Sequence, residues 1–167
     1  MEGARRAEVT ASLAYRDRPS IIVEACRTGS ERSEPGREVV AVFSHIFIGA
    51  DDVGVSKKFY DAALGAIGIP EGKIDPRGRV FYRTPSGTFG ISKPIDGKAA
   101  TFANGGTIGF TCDSPEKVKA FHDAGVASGG KSIEDPPGWR EGGAVRLYLA
   151  YLRDPYGNKI CALHRGK

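Results

Sequence analysis

Residues 59–62 read FYDA and residues 121–124 read FHDA, 62 positions apart. The same shift lays HIFIGADD at 45–52 over TIGFTCDS at 107–114. Farther on, RTPSG at 83–87 matches RDPYG at 153–157, now 70 apart because the connecting loop is longer. This internal repeat confines the chain to two copies of one supersecondary unit, each too small to bury its apolar face alone.

Each copy has the same internal order. VVAVFSHIFIGA at 39–50 is apolar on both alternating faces, as expected of a strand covered on both sides. DDVGVSKKFYDAALGAIG follows with Asp51 or Asp52 as N-cap, apolar residues at helical spacing, and Gly65 or Gly68 to close it. Three short extended pieces come next: one near 68–74, then RVFYRTP, then TFGISKP, separated by the turn signals DPRG and PSG. In the second copy GGTIGFTCD is the strand and SPEKVKAFHDAGVASGG the helix, with Ser114 as N-cap and Pro115 at its first position. KSIED, AVRLYLAYLRD and NKICALH complete it. The expected fold is α+β: two βαβββ units, at about 41–98 and 104–165, sharing a cleft within one domain at 41–167.

Residues 1–40 differ in character. They hold seven arginines, seven acidic residues and no lysine, and RTGSERSEPGRE reads as solvated linker. The expectation is a mobile N-terminal extension without chemistry, in which only SIIVEA at 20–25 could form a strand.

Charge and cysteine usage narrow the function. The net charge is only +4 and the basic residues are scattered, so the pI of about 9.0 does not point to nucleic acid. Cys26, Cys112 and Cys161 form neither a paired framework nor a CxxC, which suits a reducing compartment. No apolar run reaches the length of a membrane span. The expectation is a cytoplasmic protein that touches no membrane.

Two units about a pseudo-twofold axis bring repeat mates to face one another across a cleft. His45 has Thr107 as its mate by the 62 shift, and Cys161 has Ile91 by the 70 shift. Alternation puts Phe43, His45 and Phe47 on the cleft face, with Val42, Ser44, Ile46 and Ile48 beneath the helix. His45 there is a candidate ligand or proton carrier, and Cys161 a candidate thiolate or ordinary core filler. In EDPPGWREGG at 134–143, Trp139 beside Arg140 either grips a planar or anionic ligand or packs on its own hairpin. Tyr151 and Tyr148 point opposite ways on one strand, and Tyr151 is preferred for the cleft. His122 and His164 read as surface histidines.

The paired units, the opening FSHIFIGADDVGVSKKFYDAAL and the closing YLAYLRDPYGNKICAL resemble the vicinal oxygen chelate superfamily of glyoxalases, bleomycin-binding proteins and extradiol dioxygenases. The resemblance implies a divalent metal held by His and Glu residues from the first and last strands of each unit, acting as a Lewis acid. Of those positions His45 keeps a usual ligand. Thr107 stands where His or Gln is usual, Cys161 where Glu is usual, and Ile91 cannot ligate.

Three functions follow from the resemblance. The first is a glyoxalase-like lyase or isomerase on a small oxygenated substrate. It would use His45 and Cys161 as catalytic groups and as ligands to zinc, nickel or manganese, with Phe47, Thr107, Trp139, Arg140 and Tyr151 around the substrate. The second is a metal-free small-molecule binding protein of the bleomycin-sequestering type. The third is an extradiol dioxygenase, whose iron needs two histidines and a carboxylate. A homodimer is implied for all three.

Overall fold

A computed structural model describes residues 42–142 and 145–166; the 1–40 segment and its SIIVEA strand lie outside the described residues. The first repeat runs β1 (His45–Gly49), α1 (Val53–Gly65), β2 (Lys73–Ile74), β3 (Val80–Thr84) and β4 (Gly87–Ser92). The second runs β5 (Ile108–Thr111), α2 (Pro115–Ala127), β6 (Lys131–Gly142), β7 (Val145–Arg153) and β8 (Lys159–Arg165). Each repeat makes its own four-stranded sheet, ordered β1-β4-β3-β2 and β5-β8-β7-β6. The first and last strands of each unit pair in parallel and the others antiparallel. The α+β fold of two βαβββ units is therefore observed.

The helix signals act as expected. Asp52 Oδ1 accepts from the backbone N–H groups of Gly54 and Val55, and Ser114 Oγ accepts from Lys117 N ahead of Pro115. Beyond each helix the chain turns through a glycine in the left-handed region, Gly68 at φ 94° and Gly129 at φ 97°. Phe59, Tyr60, Ala63 and Leu64 of α1 are fully buried with Val118 and Phe121 of α2. One core thus joins the two repeats, and the Phe89 and Phe110 rings meet edge to face at 5.4 Å within it. Gly125 permits the close approach of the helices. A Cβ there would stand 2.5 Å from Leu152 Cδ1 and 3.3 Å from Phe59 Cε2.

Two buried phenols bind these layers. Tyr60 OH donates to Asp154 Oδ2 at 2.9 Å and Tyr82 OH to Asp61 Oδ1 at 2.9 Å. Burial, reinforced by the Asp154 carboxylate, pushes the Tyr60 pKa well above the usual phenol range. Burial and Asp61 push Tyr82 up as well. A phenol whose folded pKa is raised stabilises the fold fully below the unfolded pKa of about 10 and less as pH rises past it. The melting temperature should hold up to about pH 9.5 and fall beyond it. The alkaline slope should be shallower in Tyr82→Phe, read by thermal melts from pH 8 to 11.5; an unchanged slope in that variant would refute the assignment.

Candidate functional site

The helices cover one face of each sheet and leave the other open. In the first sheet Ile46, Ile48, Tyr82, Phe89 and Ile91 lie beneath the helix, while His45, Phe47, Phe81 and Arg83 share the opposite face. His45 is exposed, so the cover on both sides expected of VVAVFSHIFIGA does not extend to its face of the strand. Strand β1 begins only at His45. Phe43 precedes it and lines a hollow with Ile46 and Leu64, not with His45; Val42 is 86% exposed rather than covered by α1.

The His45 imidazole is oriented from its own chain. Ser44 Oγ lies 2.9 Å from Nδ1. Phe47 meets His45 edge to face at 5.9 Å and Phe81 at 5.4 Å. Phe81 in turn lies under two guanidiniums, Arg83 at 4.4 Å and Arg79 at 5.2 Å. Arg79 is held by Asp75 through two hydrogen bonds of 2.8 and 2.6 Å. Among the described residues no carboxylate pairs with Arg83. These side chains surround a hollow of about 440 Å³, which shares Phe47 and Arg79 with a larger one of about 980 Å³ beside the start of α1.

In the second sheet Cys161 pairs with Gly109 and Tyr151, and the same face carries Ile133, Leu149 and Leu163. Cys161 is 4% exposed. Burial raises its pKa, and a bond from Tyr151 only partly offsets that, so the thiol is protonated at neutral pH. Arg140 pairs with Leu147 on this face, but its guanidinium donates to the Pro136 and Trp139 carbonyls. Trp139 turns to the other face, 5.3 Å from Tyr148 and 6.3 Å from His164 with Arg146 over it. Of the two readings of this stretch, Trp139 follows the second and packs on its own hairpin, while Arg140 points to the opposite face because successive residues of one strand point apart. Of the other histidines, His164 Nδ1 is 3.0 Å from Cys112 O, and His122 Nε2 is 2.9 Å from Ser132 Oγ.

The repeat register also needs a correction. Ile91 pairs with Ile48 in the core, and its structural counterpart, opposite Phe110, is Ala162 rather than Cys161. The mate of Cys161 is Gly90, a shift of 71, since Arg83 pairs with Thr88 but Arg153 with Lys159 across a turn one residue longer. The two copies thus exchange bulk at one position: Phe47 opposite Gly90 in the first sheet, Gly109 opposite Cys161 in the second. A Cβ on Gly90 would meet the Phe47 ring at 2.4 Å, whereas one on Gly109 would meet nothing within 4 Å.

Among the described hollows none is lined by both His45 and Cys161. Thr107 and Phe47 do come together, with Lys159, around a hollow of about 320 Å³ between the two repeats. The metal positions implied by the repeat are an imidazole, a hydroxyl, a glycine and a buried thiol. Among the described residues no three His, Cys, Asp or Glu side chains cluster to hold a metal ion. A divalent ion that wants three protein donors does not fit this set.

Paired βαβββ units, each with one sheet face left open on the side away from its helix, define the fold class of this chain. Residues 42–162 match the Glyoxalase/Bleomycin resistance protein/Dioxygenase superfamily, and the chain belongs to it. It is 58% identical to a glyoxalase/bleomycin resistance protein from Albidiferax ferrireducens T118 (TM-score 0.73), covering 75% of this chain and 100% of that one. Two others share the fold at low identity. One is a glyoxalase/bleomycin resistance protein/dioxygenase family enzyme from Burkholderia phytofirmans PsJN (17% identity, TM-score 0.54, 72% and 96% covered). The other is a lactoylglutathione lyase from Agrobacterium tumefaciens (16% identity, TM-score 0.53, 76% and 96% covered). No curated protein matches. No helix among the described residues is long and apolar enough to cross a membrane.

Proposed function

We propose that this protein binds a small molecule on the open face of its first sheet without a metal ion. The observation that carries this reading is the hollow beside His45, where Ser44, Thr88 and Arg83 supply donors around the Phe47 and Phe81 rings and no carboxylate lines the wall. Such a surface holds a ligand by aromatic contact and charge-assisted hydrogen bonds. It offers no donor set to polarise a substrate through a metal.

The lyase or isomerase reading keeps one supporting feature. His45 is exposed and held at Nδ1 by Ser44, an arrangement in which the other ring nitrogen could carry a proton. Metal analysis of protein purified without chelator separates the two. Far less than one equivalent of divalent metal per chain, with no loss of melting temperature in EDTA, supports the binding protein. One equivalent that disappears in His45→Ala would overturn it.

The same reading includes a homodimer. His45 and Cys161 sit on the open faces of different sheets, and a second copy laid across the first sheet could bring the partner's Cys161 side to the His45 hollow. Sedimentation should give twice the 17.8 kDa chain mass at micromolar concentration. A monomer would remove the dimer from the proposal.

A further inference from the structure

The hollow at His45 carries a chemical preference of its own. Each polar side chain lining it, Ser44, His45, Arg79, Arg83 and Thr88, is able to donate, and its lining contains no carboxylate. Arg79 is already neutralised by the Asp75 fork, which leaves Arg83 as the guanidinium with no carboxylate partner among the described residues. The Arg83 Cζ lies over the Phe81 ring at 4.4 Å from its centroid, which holds the guanidinium in place, and no acceptor among the described residues takes up its N–H donors. Phe47 stands edge-on to Phe81, and its exposed side, 39% accessible, forms the apolar wall. The volume of about 440 Å³ suits a ligand of one or two rings.

We infer that the ligand is a planar arene carboxylate, its carboxylate forked by Arg83 and its ring set against Phe47 and Phe81, with His45 Nε2 facing a polar substituent. This inference rests on the binding face proposed above and adds the class of molecule it selects. Arg83 sets the charge preference, because a planar guanidinium matches a carboxylate bidentately. The two phenylalanines set the preference for a flat, apolar body over a puckered one.

Three probes test it: 2-naphthoate, the isosteric neutral 2-naphthamide, and cyclohexanecarboxylate. Each is titrated calorimetrically, with amide shifts followed at His45 and Phe47. The expected result is that 2-naphthoate binds at least 10-fold more tightly than either other probe and shifts both residues. The preference over the amide should vanish in Arg83→Ala and survive in part in Arg83→Lys. Arg83 is exposed, so circular dichroism should confirm that both variants fold.

Equal affinity for naphthoate and naphthamide would overturn the charge preference. Equal affinity for naphthoate and cyclohexanecarboxylate would overturn the arene preference. A preference unchanged in Arg83→Ala, or no shift at His45 and Phe47 with any probe, would overturn the assignment of the site. None of these outcomes alters the metal content, on which the parent reading is decided separately.

Discussion

Asp154→Ala will cost about 3 kcal/mol of folding stability, more than any other single change to the turn between β7 and β8. Asp154 is 4% exposed. Its carboxylate is satisfied by donors rather than by a cation: Oδ1 accepts from Tyr156 N and Asn158 N, and Oδ2 from Asn158 Nδ2 and Tyr60 OH, all at 2.8–2.9 Å. Removing it strands the Tyr60 hydroxyl in a fully buried site and releases the turn that orders β8. The loss reaches the first repeat too, since Tyr60 belongs to α1 and Tyr156 OH accepts from Asp52 N at 2.7 Å, at the start of that helix. For a domain of this size the melting temperature should fall by about 6–12 °C. Tyr60→Phe alone should cost about 1 kcal/mol, and its cost should nearly vanish in the Asp154→Ala background. Additive losses in urea titrations of the four proteins would refute the coupling.

That network shows which features of the fold the chain announces locally. The repeat, both helix caps and the order of strands were legible because each rests on residues adjacent in sequence: Asp52 before Gly54, Ser114 before Pro115, Gly68 and Gly129 after the helices. DPYGN was legible as a motif, yet its partner Tyr60 lies 94 positions away, a distance no local spacing reveals. The single extra residue in this turn also explains the misassigned mate of Cys161. A shift of 70 holds through β7, where Arg83 and Arg153 correspond, and becomes 71 in β8. One residue of slip exchanges the two faces of a strand, so the error moved the mate from the open face to the core.

The 134–143 stretch failed for a related reason. The strand expected there is only KSIED at 131–135, since two prolines and three glycines follow it, but β6 runs on from Lys131 to Gly142. The strand absorbs the prolines in a bulge between Ile133 and Gly138, with Glu134 at φ 59°. Once Trp139 and Arg140 belong to a strand, their separation onto opposite faces is obligatory. The face of His45 was read correctly by alternation, but its exposure was not. An apolar run such as VVAVFSHIFIGA suggests cover on both sides, whereas here Phe47 and Phe81 remain accessible as the floor of the hollow.

Installing the missing donors should turn this metal-poor face into a metal site. Thr107→His with Cys161→Glu supplies an imidazole and a carboxylate at the two second-repeat positions, to join His45 in a three-ligand set of the kind zinc and nickel accept. The second sheet can take the longer side chain, because Gly109 opposite Cys161 has open space beyond it. Gly90 needs no change, since the Phe47 ring already occupies its side of the sheet and a fourth position left without a protein donor suits a ligand site. The doubly substituted protein should bind about one zinc per chain where the parent binds almost none, and His45→Ala in that background should abolish it. Because none of the described hollows is lined by both His45 and Cys161, the full set is expected to form between two copies. Zinc should therefore tighten the dimer, visible as a sedimentation shift at protein concentrations where the metal-free variant dissociates. A folded double variant that stays free of zinc would mean that these four positions do not converge even across the dimer, and the pairing of the two open faces would have to be abandoned.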